Sequence, residues 1–370
     1  MILERLSPLL RLPVLRDLSR EALSKFDAET AHGLTISALR LGLAPEQERP
    51  DPPELATELC GLSLANPIGM AAGFDKNGEV PAALARFGFG MVEVGTVTPR
   101  SQAGNAKPRL FRIPEAGGVV NRMGFNNAGH AVVLARLRGL HVKAALGVNI
   151  GANKDSEDFV ADYVAGVKTF AEVADYLTVN ISSPNTPGLR NLQAEEALRR
   201  LLGEVLAARA QASVRVPVLL KVAPDLDEKG LDGIAATIAG TGLDGLIVSN
   251  TTISRDGVAG LEHASETGGM SGKPLFNLAT QRLAQMRQRV GDLPIVGVGG
   301  IHSPQSAVAK FEAGADAVQL YSALALGGLD LLDEIKAGLA AAVKASGGKS
   351  VADLKGSRVA DWAEGRGEVR

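Results

Sequence analysis

The segment VNISSPNTPGLRNL, residues 179–192, has residue types that could hold a reactive hydroxyl above a ligand. An apolar run ends at Asn180 and leads into Ser182, Ser183 and Asn185, in a stretch with two prolines and a glycine. Because proline and glycine favour tight turns, we expect a rigid, exposed loop. Such a loop could place a serine hydroxyl over a substrate while two amides bind its polar edges. An ordinary capped turn between a strand and a helix is the alternative interpretation.

Two further kinds of segment suit ligand binding. NRMGFNNAG, residues 121–129, places three asparagines and two glycines in one loop, and such dense amides suit a flat ligand with alternating donors and acceptors. AAGFDKNGE places Lys76 just after an apolar run, and KVAPDL places Lys221 at the polar end of another. An unpaired buried ammonium is costly, so we expect Lys221 to have an anionic partner or ligand.

Eight short apolar runs along the middle of the chain must position these groups. Segments with helical spacing lie between most of the runs, as with Phe159, Tyr163, Val167 and Phe170. This alternation implies parallel strands with crossover helices, and eight such units favour a closed (β/α)8 TIM barrel. The runs begin at Asn66, Gly90, Ala144, Tyr176, Val216, Gly245, Pro294 and Ala317.

Polar and glycine residues collect at the carboxyl ends of the eight predicted strands. In a barrel these ends share one face, where the active site of this fold is built, so we predict one functional site there. In strand order the residues are Lys76, Thr96, Asn149, Asn180, Lys221, Ser249 with Asn250, Gly299 with Gly300, and Tyr321 with Ser322.

The last two strands predict a phosphate site. They end in GVGGI and QLYS, and GGMSGKPL follows the sixth strand. Backbone N–H groups at the last strands of this fold commonly bind phosphate. A phosphate there and a lysine on the fifth strand outline flavin mononucleotide, FMN. No strand is followed by a GxGxxG that opens a helix with a later acidic residue, so a nicotinamide cofactor is not expected.

The whole chain is interpreted as one barrel with two additions. Residues 1–45 form a helical extension, 46–345 the barrel, and the Gly-rich, charged residues 346–370 a surface tail. A net charge of -2 and 4% aromatic residues argue against nucleic-acid binding. The five histidines are scattered and Cys60 is the single cysteine, so neither a metal site nor an internal disulfide is expected. Without a long apolar stretch or a signal-peptide pattern, we expect the protein on the cytoplasmic side.

Across residues 66–340 the chain resembles the class 2 dihydroorotate dehydrogenases. The resembling segments are, in order, AAGFDKNGE, VEVGTVTP, NRMGFNNAG, VNISSPNTPGLR, KVAPDL, SNTT, SGKPL, GVGGI and QLYS. FDAETAHGLTISAL also resembles that class, which has a helical extension ahead of the barrel. The resemblance implies oxidation of dihydroorotate to orotate in pyrimidine biosynthesis, with FMN as cofactor and a membrane quinone as acceptor. It implies a protein on the membrane surface, and we expect a monomer.

The resemblance also implies a set of contacts. Those to FMN are Ala72, Gly73, Thr96, Asn149, Asn180, Lys221, Ser249, Gly272, Gly300, Tyr321 and Ser322. Those to the substrate are Lys76, Asn121, Arg122, Met123, Gly124, Phe125, Asn180, Asn185, Asn250 and Thr251. Met123 is expected to contribute its backbone only. Ser249 departs from the family, where threonine is frequent, but it keeps the hydroxyl.

Ser183 matches the family's catalytic base, where the soluble class 1 enzymes use a cysteine. It would take a proton from the carbon beside the ring carbonyl while a hydride passes from the adjacent carbon to FMN. Since serine is a poor base at neutral pH, an ordered water or a solvent-excluding loop must pass the proton onward. Lys221 would stabilise the charge that the reduced flavin acquires, and Lys76 would hold the substrate carboxylate.

Residues 1–45 are expected to form two amphipathic helices separated near Asp27. Their apolar faces could open onto a bilayer and form a tunnel for a quinone tail, with basic residues facing anionic headgroups. Helices that only cover the barrel surface are the alternative. One apolar stripe has Val14, Leu15, Leu18, Ala22 and Phe26, the other has Ala31, Leu34, Ala38 and Leu39, and the basic residues are Arg5, Arg11, Arg16, Arg20 and Lys25.

Three other functions compete with this interpretation. Another flavin barrel would use a cysteine as base and lack the N-terminal helices. An aldolase-type barrel would use Lys76 or Lys221 to form a Schiff base. A binding barrel without catalysis is the third.

Overall fold

The computed structural model describes residues 25–43, 46–47, 49–328 and 330–370. The described chain begins with helix α1 (Ala28–Arg40) and then forms an antiparallel hairpin of β1 (Thr57–Leu59) and β2 (Leu62–Leu64). Cys60 lies in the turn of this hairpin, and its thiol donates a hydrogen bond to the carbonyl of Asp244. The hairpin packs its leucines against the side chains that fill one end of the barrel.

The centre of the fold is a closed barrel of eight parallel strands, one in each of the eight apolar runs. The predicted (β/α)8 barrel is therefore confirmed. Full burial of both strand faces explains why the runs are continuously apolar rather than alternating. In order around the barrel the strands are β3 (Ile68–Met70), β4 (Met91–Val97), β7 (Ala145–Ile150), β8 (Tyr176–Asn180), β9 (Val218–Val222), β10 (Gly245–Val248), β12 (Ile295–Val298) and β13 (Ala317–Leu320).

Helices connect the barrel strands. Helix α4 (Phe159–Phe170) shows why the sequence folds this way: its buried Tyr163, Val167 and Phe170 recur at helical spacing, and the Asp158 side chain caps its first turn. The helices after α1 are α2 (Pro81–Arg86), α3 (His130–Leu137), α4 (Phe159–Phe170), α5 (Glu195–Ala210), α6 (Glu228–Ile238), α7 (Phe276–Val290), α8 (Pro304–Glu312), α9 (Ser322–Gly327), α10 (Asp330–Ala345) and α11 (Val359–Ala363).

Two long connections, after β4 and after β10, pair with each other. They form a three-stranded antiparallel sheet, the cap sheet, from β5 (Leu110–Ile113), β6 (Gly118–Asn121) and β11 (Gly269–Gly272). The sequence predicts functional loops here but not their pairing, because strands joined across so much chain share no turn signal. The pairing fixes Asn121 opposite Gly269.

The C-terminal segment corrects the expectation of a surface tail. Trp362 in α11 is only 2% exposed, and its ring packs edge-on against Phe276 of α7, with ring centroids 5.8 Å apart. Val351, in a 3-10 turn before α11, is also buried. One tryptophan in a charged, glycine-rich segment carries too little periodic pattern to reveal this packing.

Helix α1 begins directly after Asp27, whose side chain accepts the backbone N–H groups of Glu29 and Thr30. The boundary expected near Asp27 is thus where the helix is capped. The first apolar stripe from Val14 to Ala22 and the arginines at positions 5, 11, 16 and 20 lie outside the described residues. Among the residues described, no helix is both long and apolar enough to cross a bilayer.

Candidate active site

One cavity of about 610 Å³ lies where the carboxyl ends of the barrel strands, the cap sheet and α1 meet. A volume of this size suits a small ligand or cofactor. Its wall includes Ser183 and most of the other predicted site residues. These are Ala72, Gly73, Lys76, Thr96, Asn121, Met123, Gly124, Phe125, Asn180, Asn185, Lys221, Ser249, Asn250, Thr251, Gly272, Gly300, Tyr321 and Ser322.

Two predicted contact residues are not part of the cavity wall. The guanidinium of Arg122 bonds to Glu266 at 2.7 Å and to the carbonyl of Pro108 at 2.9 Å, and it lies over the Phe111 ring. Asn149 is fully buried behind the wall, where its side chain bonds to two wall residues. Arg122 follows the wall residue Asn121, whereas Asn149 lies near the end of a strand that contributes no residue to the wall, and in both cases side-chain direction depends on tertiary packing.

Two glycines of the wall form a backbone cradle. A Cβ on Gly300 would lie 2.3 Å from the Cα of Phe276, and one on Gly272 would lie 2.3 Å from the carbonyl oxygen of Gly117. Both glycines also have positive φ, at 79° and 86°, which disfavours any side chain. The hydroxyls of Ser271 and Ser322 lie 2.8 Å apart beside them. Phosphate is commonly bound by backbone N–H groups and hydroxyls, so this close-packed backbone beside two serines suits a phosphate.

A hydrogen-bonded set of polar side chains lies at the ends of neighbouring strands. Thr96 donates to the amide oxygen of Asn149 at 2.5 Å, and Asn180 donates to the same oxygen at 3.1 Å. The Asn180 oxygen in turn accepts the hydroxyl and the N–H of Ser182. Because every amide has a partner, the groups that face the cavity are held in fixed directions.

Lys221, on β9, brings a cation to the same wall. Its side chain is only 5% exposed, and no hydrogen bond or ion pair engages it within the described part of the chain. Burial lowers the pKa of its ammonium, and the negative charge of Glu93 opposes that shift. A buried cation that faces an open cavity is placed to meet an anionic or electron-rich ligand.

The loop after β8 holds Ser183 at the wall. Ser183 is buried, and its hydroxyl oxygen accepts the N–H of Asn185 at 3.2 Å. The Asn185 amide reaches the carbonyl of Asn121 in the cap sheet at 3.2 Å. From the other side, Arg190 donates to the carbonyl of Ser182 at 3.0 Å and forms an ion pair with Asp225. These contacts hold the loop in place, as the sequence predicts, but around Ser183, where it meets the cap sheet, the loop is buried and not exposed as expected.

Lys76 and His32 form a second polar contact at the wall. The Lys76 ammonium donates to the carbonyl of Gly73 at 2.6 Å and lies 3.5 Å from Nε2 of His32. Nδ1 of the same histidine lies 3.2 Å from the Tyr321 hydroxyl. Burial lowers the pKa of Lys76 to about 8, and burial together with the Lys76 charge lowers the pKa of His32 to about 3. His32 is therefore neutral at physiological pH.

The sequence does not predict His32, Glu29 or Arg109 as parts of this site. His32 is carried by α1, and Glu29 of the same helix forms a bidentate ion pair with Arg109, at 2.7 and 3.1 Å. Arg109 also donates to the carbonyls of Ala103 and Asn105, just before the cap sheet. The clustering of Glu29 and His32 on one face of a helix is the only signal that could have indicated them.

These features define a class. A (β/α)8 barrel whose strand ends combine a backbone phosphate cradle, a buried lysine and a hydroxyl on a rigid loop has the parts of a flavin-dependent oxidoreductase.

Comparisons with known proteins then identify the family. The family model described as Dihydroorotate dehydrogenase matches residues 54–343. The protein named Dihydroorotate dehydrogenase (quinone) in Rhizobium meliloti (strain 1021) is 55% identical over 354 residues, covering 94% of this chain and 98% of the relative. Its counterpart of the same name in Sinorhizobium medicae is 55% identical over 353 residues, with the same coverage. A crystal structure of DHODH from Eimeria tenella in complex with ferulenol has a TM-score of 0.86 and 38% identity, covering 89% of this chain and 95% of that one. The chain belongs to the dihydroorotate dehydrogenase family.

Proposed function

We propose that this enzyme oxidises dihydroorotate to orotate in pyrimidine biosynthesis, with FMN as its flavin and a membrane quinone as its electron acceptor. The main support for this proposal is that one cavity is lined by Ser183, Lys76, Lys221 and the glycine cradle. Relatives of more than half identity that are named as the quinone-dependent enzyme support the choice of substrate and acceptor.

The residues present fit FMN. The cradle at Gly272 and Gly300 suits a phosphate because both glycines bring close-packed backbone without side chains to the cavity wall. Thr96 and Asn180 present fixed polar groups at the strand ends, and Lys221 supplies the cation that the ring of a reduced flavin needs. Bound FMN supplies a ring that accepts a hydride and later gives its electrons to the quinone.

The substrate lies over the amide-rich wall. The Lys76 ammonium binds its carboxylate, and the amides of Asn121, Asn185 and Asn250 bind the polar edges of its ring. Asn250 is held by a hydrogen bond of 2.9 Å to the Ser182 hydroxyl, so the substrate wall and the Ser183 loop are one unit. This rigidity positions the substrate carbon against the serine.

Ser183 removes the proton from the carbon beside the ring carbonyl. The Asn185 N–H stabilises negative charge on the Ser183 oxygen because it already donates to that atom. The loop buries Ser183 and so excludes bulk water from the proton. The Thr186 hydroxyl of the same loop is also buried and lacks a hydrogen-bond partner within the described residues.

The quinone enters between α1 and the barrel. The cavity wall includes the apolar side chains of Leu39, Phe74 and Leu110, and the Phe74 ring packs against His32 and Tyr321 with ring centroids 5.4 and 5.5 Å apart. Nearby apolar side chains of Phe26, Leu34 and Leu41 are 49%, 45% and 58% exposed. We infer that they enter the headgroup region of a membrane, on its cytoplasmic side, and that the protein binds there as a peripheral monomer.

Absorption spectroscopy tests the cofactor and the substrate together. The purified protein should be yellow and should release FMN when denatured, and dihydroorotate should bleach the flavin without oxygen. A colourless preparation that stays colourless with added FMN would refute the proposal. A yellow preparation that dihydroorotate does not bleach would refute the substrate alone.

A truncation and a point variant test the acceptor. A chain starting near Pro50 should keep FMN and pass electrons to a small soluble acceptor, but it should lose turnover with a long-tailed quinone and binding to anionic vesicles. Leu34→Glu, which changes an exposed side chain only, should weaken vesicle binding and raise the KM for the long-tailed quinone. Val214→Glu, which changes a side chain of similar exposure (48%) ahead of β9, at the amino ends of the barrel strands, is the matched control for added charge. Unchanged quinone turnover in both the truncated chain and Leu34→Glu would exclude this quinone site.

A further inference from the structure

A fully buried carboxylate lies inside the barrel. Glu93, in the middle of β4, is 0% exposed and is not part of the cavity wall. Its Oε1 accepts Asn149 Nδ2 at 2.7 Å, and its Oε2 accepts Gln319 Nε2 at 2.9 Å, the Tyr176 hydroxyl at 3.1 Å and the Thr178 hydroxyl at 3.2 Å. All four partners are neutral donors. An ionised carboxylate, which only accepts, fits this arrangement.

The barrel makes specific room for this cluster. A Cβ on Gly147, the β7 residue between Glu93 and Tyr176 in register, would lie 2.1 Å from the Tyr176 ring. The missing side chain at that position lets the tyrosine reach the carboxylate. Four hydrogen bonds satisfy the buried carboxylate, and the absence of a side chain at Gly147 allows one of the four donors to reach it. This arrangement indicates a specific role for Glu93.

The opposite charge for Glu93 is Lys221. Lys221 pairs in register with Asn180, which donates to Asn149, the partner of Glu93. No direct ion pair joins Glu93 and Lys221 within the described residues, so the attraction acts through the barrel interior. The low polarity of that interior makes the attraction stronger than it would be in water. It opposes the loss of charge that burial alone imposes on Lys221. Tyr176, the other titratable group of the cluster, stays neutral because burial and Glu93 both raise its pKa well above the usual range.

Glu93 also fixes the direction of the wall amides. Because Asn149 donates its amide nitrogen to Glu93, its oxygen must point the other way, where it accepts Thr96 and Asn180. Asn180 then presents its own oxygen to Ser182, next to Ser183. The Glu93 carboxylate therefore determines which atoms of the wall amides donate hydrogen bonds and which accept them.

We propose that Glu93 is a positioning residue for the flavin reaction, which sets the orientation of Asn149, Thr96 and Asn180 and supplies the buried negative charge that acts on Lys221. This inference rests on the proposed function, since it assumes that Lys221 faces the flavin. Glu93 itself does not touch the flavin or the substrate. Its effect is on how strongly the site favours the reduced flavin over the oxidised one.

The test is the midpoint potential of the flavin in Glu93→Gln, a nearly isosteric change that removes the charge. The holoenzyme is titrated spectroscopically, in the presence of excess FMN, between about pH 6 and 9. We expect binding of reduced FMN to weaken about tenfold relative to oxidised FMN, which lowers the potential of this two-electron couple by about 30 mV. The decrease should grow with pH as Lys221 loses its proton earlier than in the parent.

Two comparisons isolate the charge. Tyr176→Phe removes one hydrogen bond to the carboxylate and keeps its charge, so it should retain the parent potential. In a Lys221→Met background, Glu93→Gln should have little further effect if Glu93 acts through Lys221. Should Glu93→Gln fail to fold, Glu93→Asp, which withdraws the charge by one methylene, should lower the potential by a smaller amount.

The outcomes separate this inference from the proposed function. A parent that binds no flavin refutes the function. A parent that binds and reduces FMN normally, with Glu93→Gln at the same potential and pH profile, overturns the role of Glu93 alone. So does a Glu93→Asp variant with the parent's potential and pH profile. A decrease of equal size in the Lys221→Met background would also overturn it, because the effect would not pass through Lys221.

Discussion

Lys76 should make substrate capture fall at alkaline pH. Burial lowers the pKa of its ammonium to about 8, although the charges of Glu29 and Asp75 oppose the shift. If only the ammonium form binds the substrate carboxylate, the competent fraction is about one half at pH 8, about one tenth at pH 9 and about one hundredth at pH 10. kcat/KM for dihydroorotate should therefore approach a tenfold fall per pH unit above about pH 9. At saturation the bound carboxylate keeps Lys76 protonated, so kcat should not show this fall.

Steady-state rates with a small soluble acceptor measure both parameters over the same pH range. Lys76→Met is the matched control because its side chain has similar length and cannot titrate. It should lower kcat/KM at pH 7 about 10- to 150-fold, the usual worth of a hydrogen bond between charged groups, and should show no alkaline fall of its own. An identical fall in the parent and in Lys76→Met would refute the assignment, because another group would then be titrating.

Four further predictions follow from the site and the core. Ser183→Ala should keep FMN but slow flavin reduction by dihydroorotate about 10²–10⁴-fold in stopped flow, and a rate within a few-fold of the parent would make Ser183 a loop residue only. Lys221→Ala should bind FMN less tightly and make it harder to reduce, which FMN retention and redox titration measure. Gly300→Ala should lower the flavin-to-protein ratio, since its Cβ would collide with the Phe276 backbone; full occupancy would place the phosphate elsewhere. Trp362→Ala should reduce the free energy of unfolding by about 3–5 kcal/mol in denaturant titration, whereas a loss below about 1 kcal/mol would mean that α11 packs loosely.

The barrel could be predicted because its pattern is local. Each strand is a short apolar run that ends in glycine or a polar residue, and the barrel buries both faces of such runs. The cap sheet could not be predicted in the same way. Its strands β6 and β11 are separated by nearly half the chain, and nothing in GGVVN or GGMSG specifies which partner each one pairs with.

The wall of the site was predictable for a similar reason, since residues at strand ends must face the same side of a barrel. Arg122 and Asn149 show the limit of that reasoning. Arg122 follows a wall residue but bonds to Glu266, and Asn149 lies at a strand end but behind Thr96. The role of Glu93 could not be predicted from the sequence, because its partners lie on β8 and β13, which are distant from it in the chain.

Helix α1 contributes both to the proposed quinone site and to the substrate side of the cavity. On one side it exposes Leu34 toward the inferred membrane, and on the other it places His32 against Tyr321 and Lys76. Its Glu29 holds Arg109, which in turn binds the carbonyls that lead into the cap sheet over the substrate. Removal of the whole extension would therefore leave the Arg109 guanidinium buried without its carboxylate, a change that is costly in itself. Loss of substrate affinity in the truncated chain would then reflect the broken Glu29–Arg109 pair, whereas Leu34→Glu leaves that pair intact. The point variant is for this reason the sharper test of quinone access, and the truncation tests how far the extension also stabilises the substrate side.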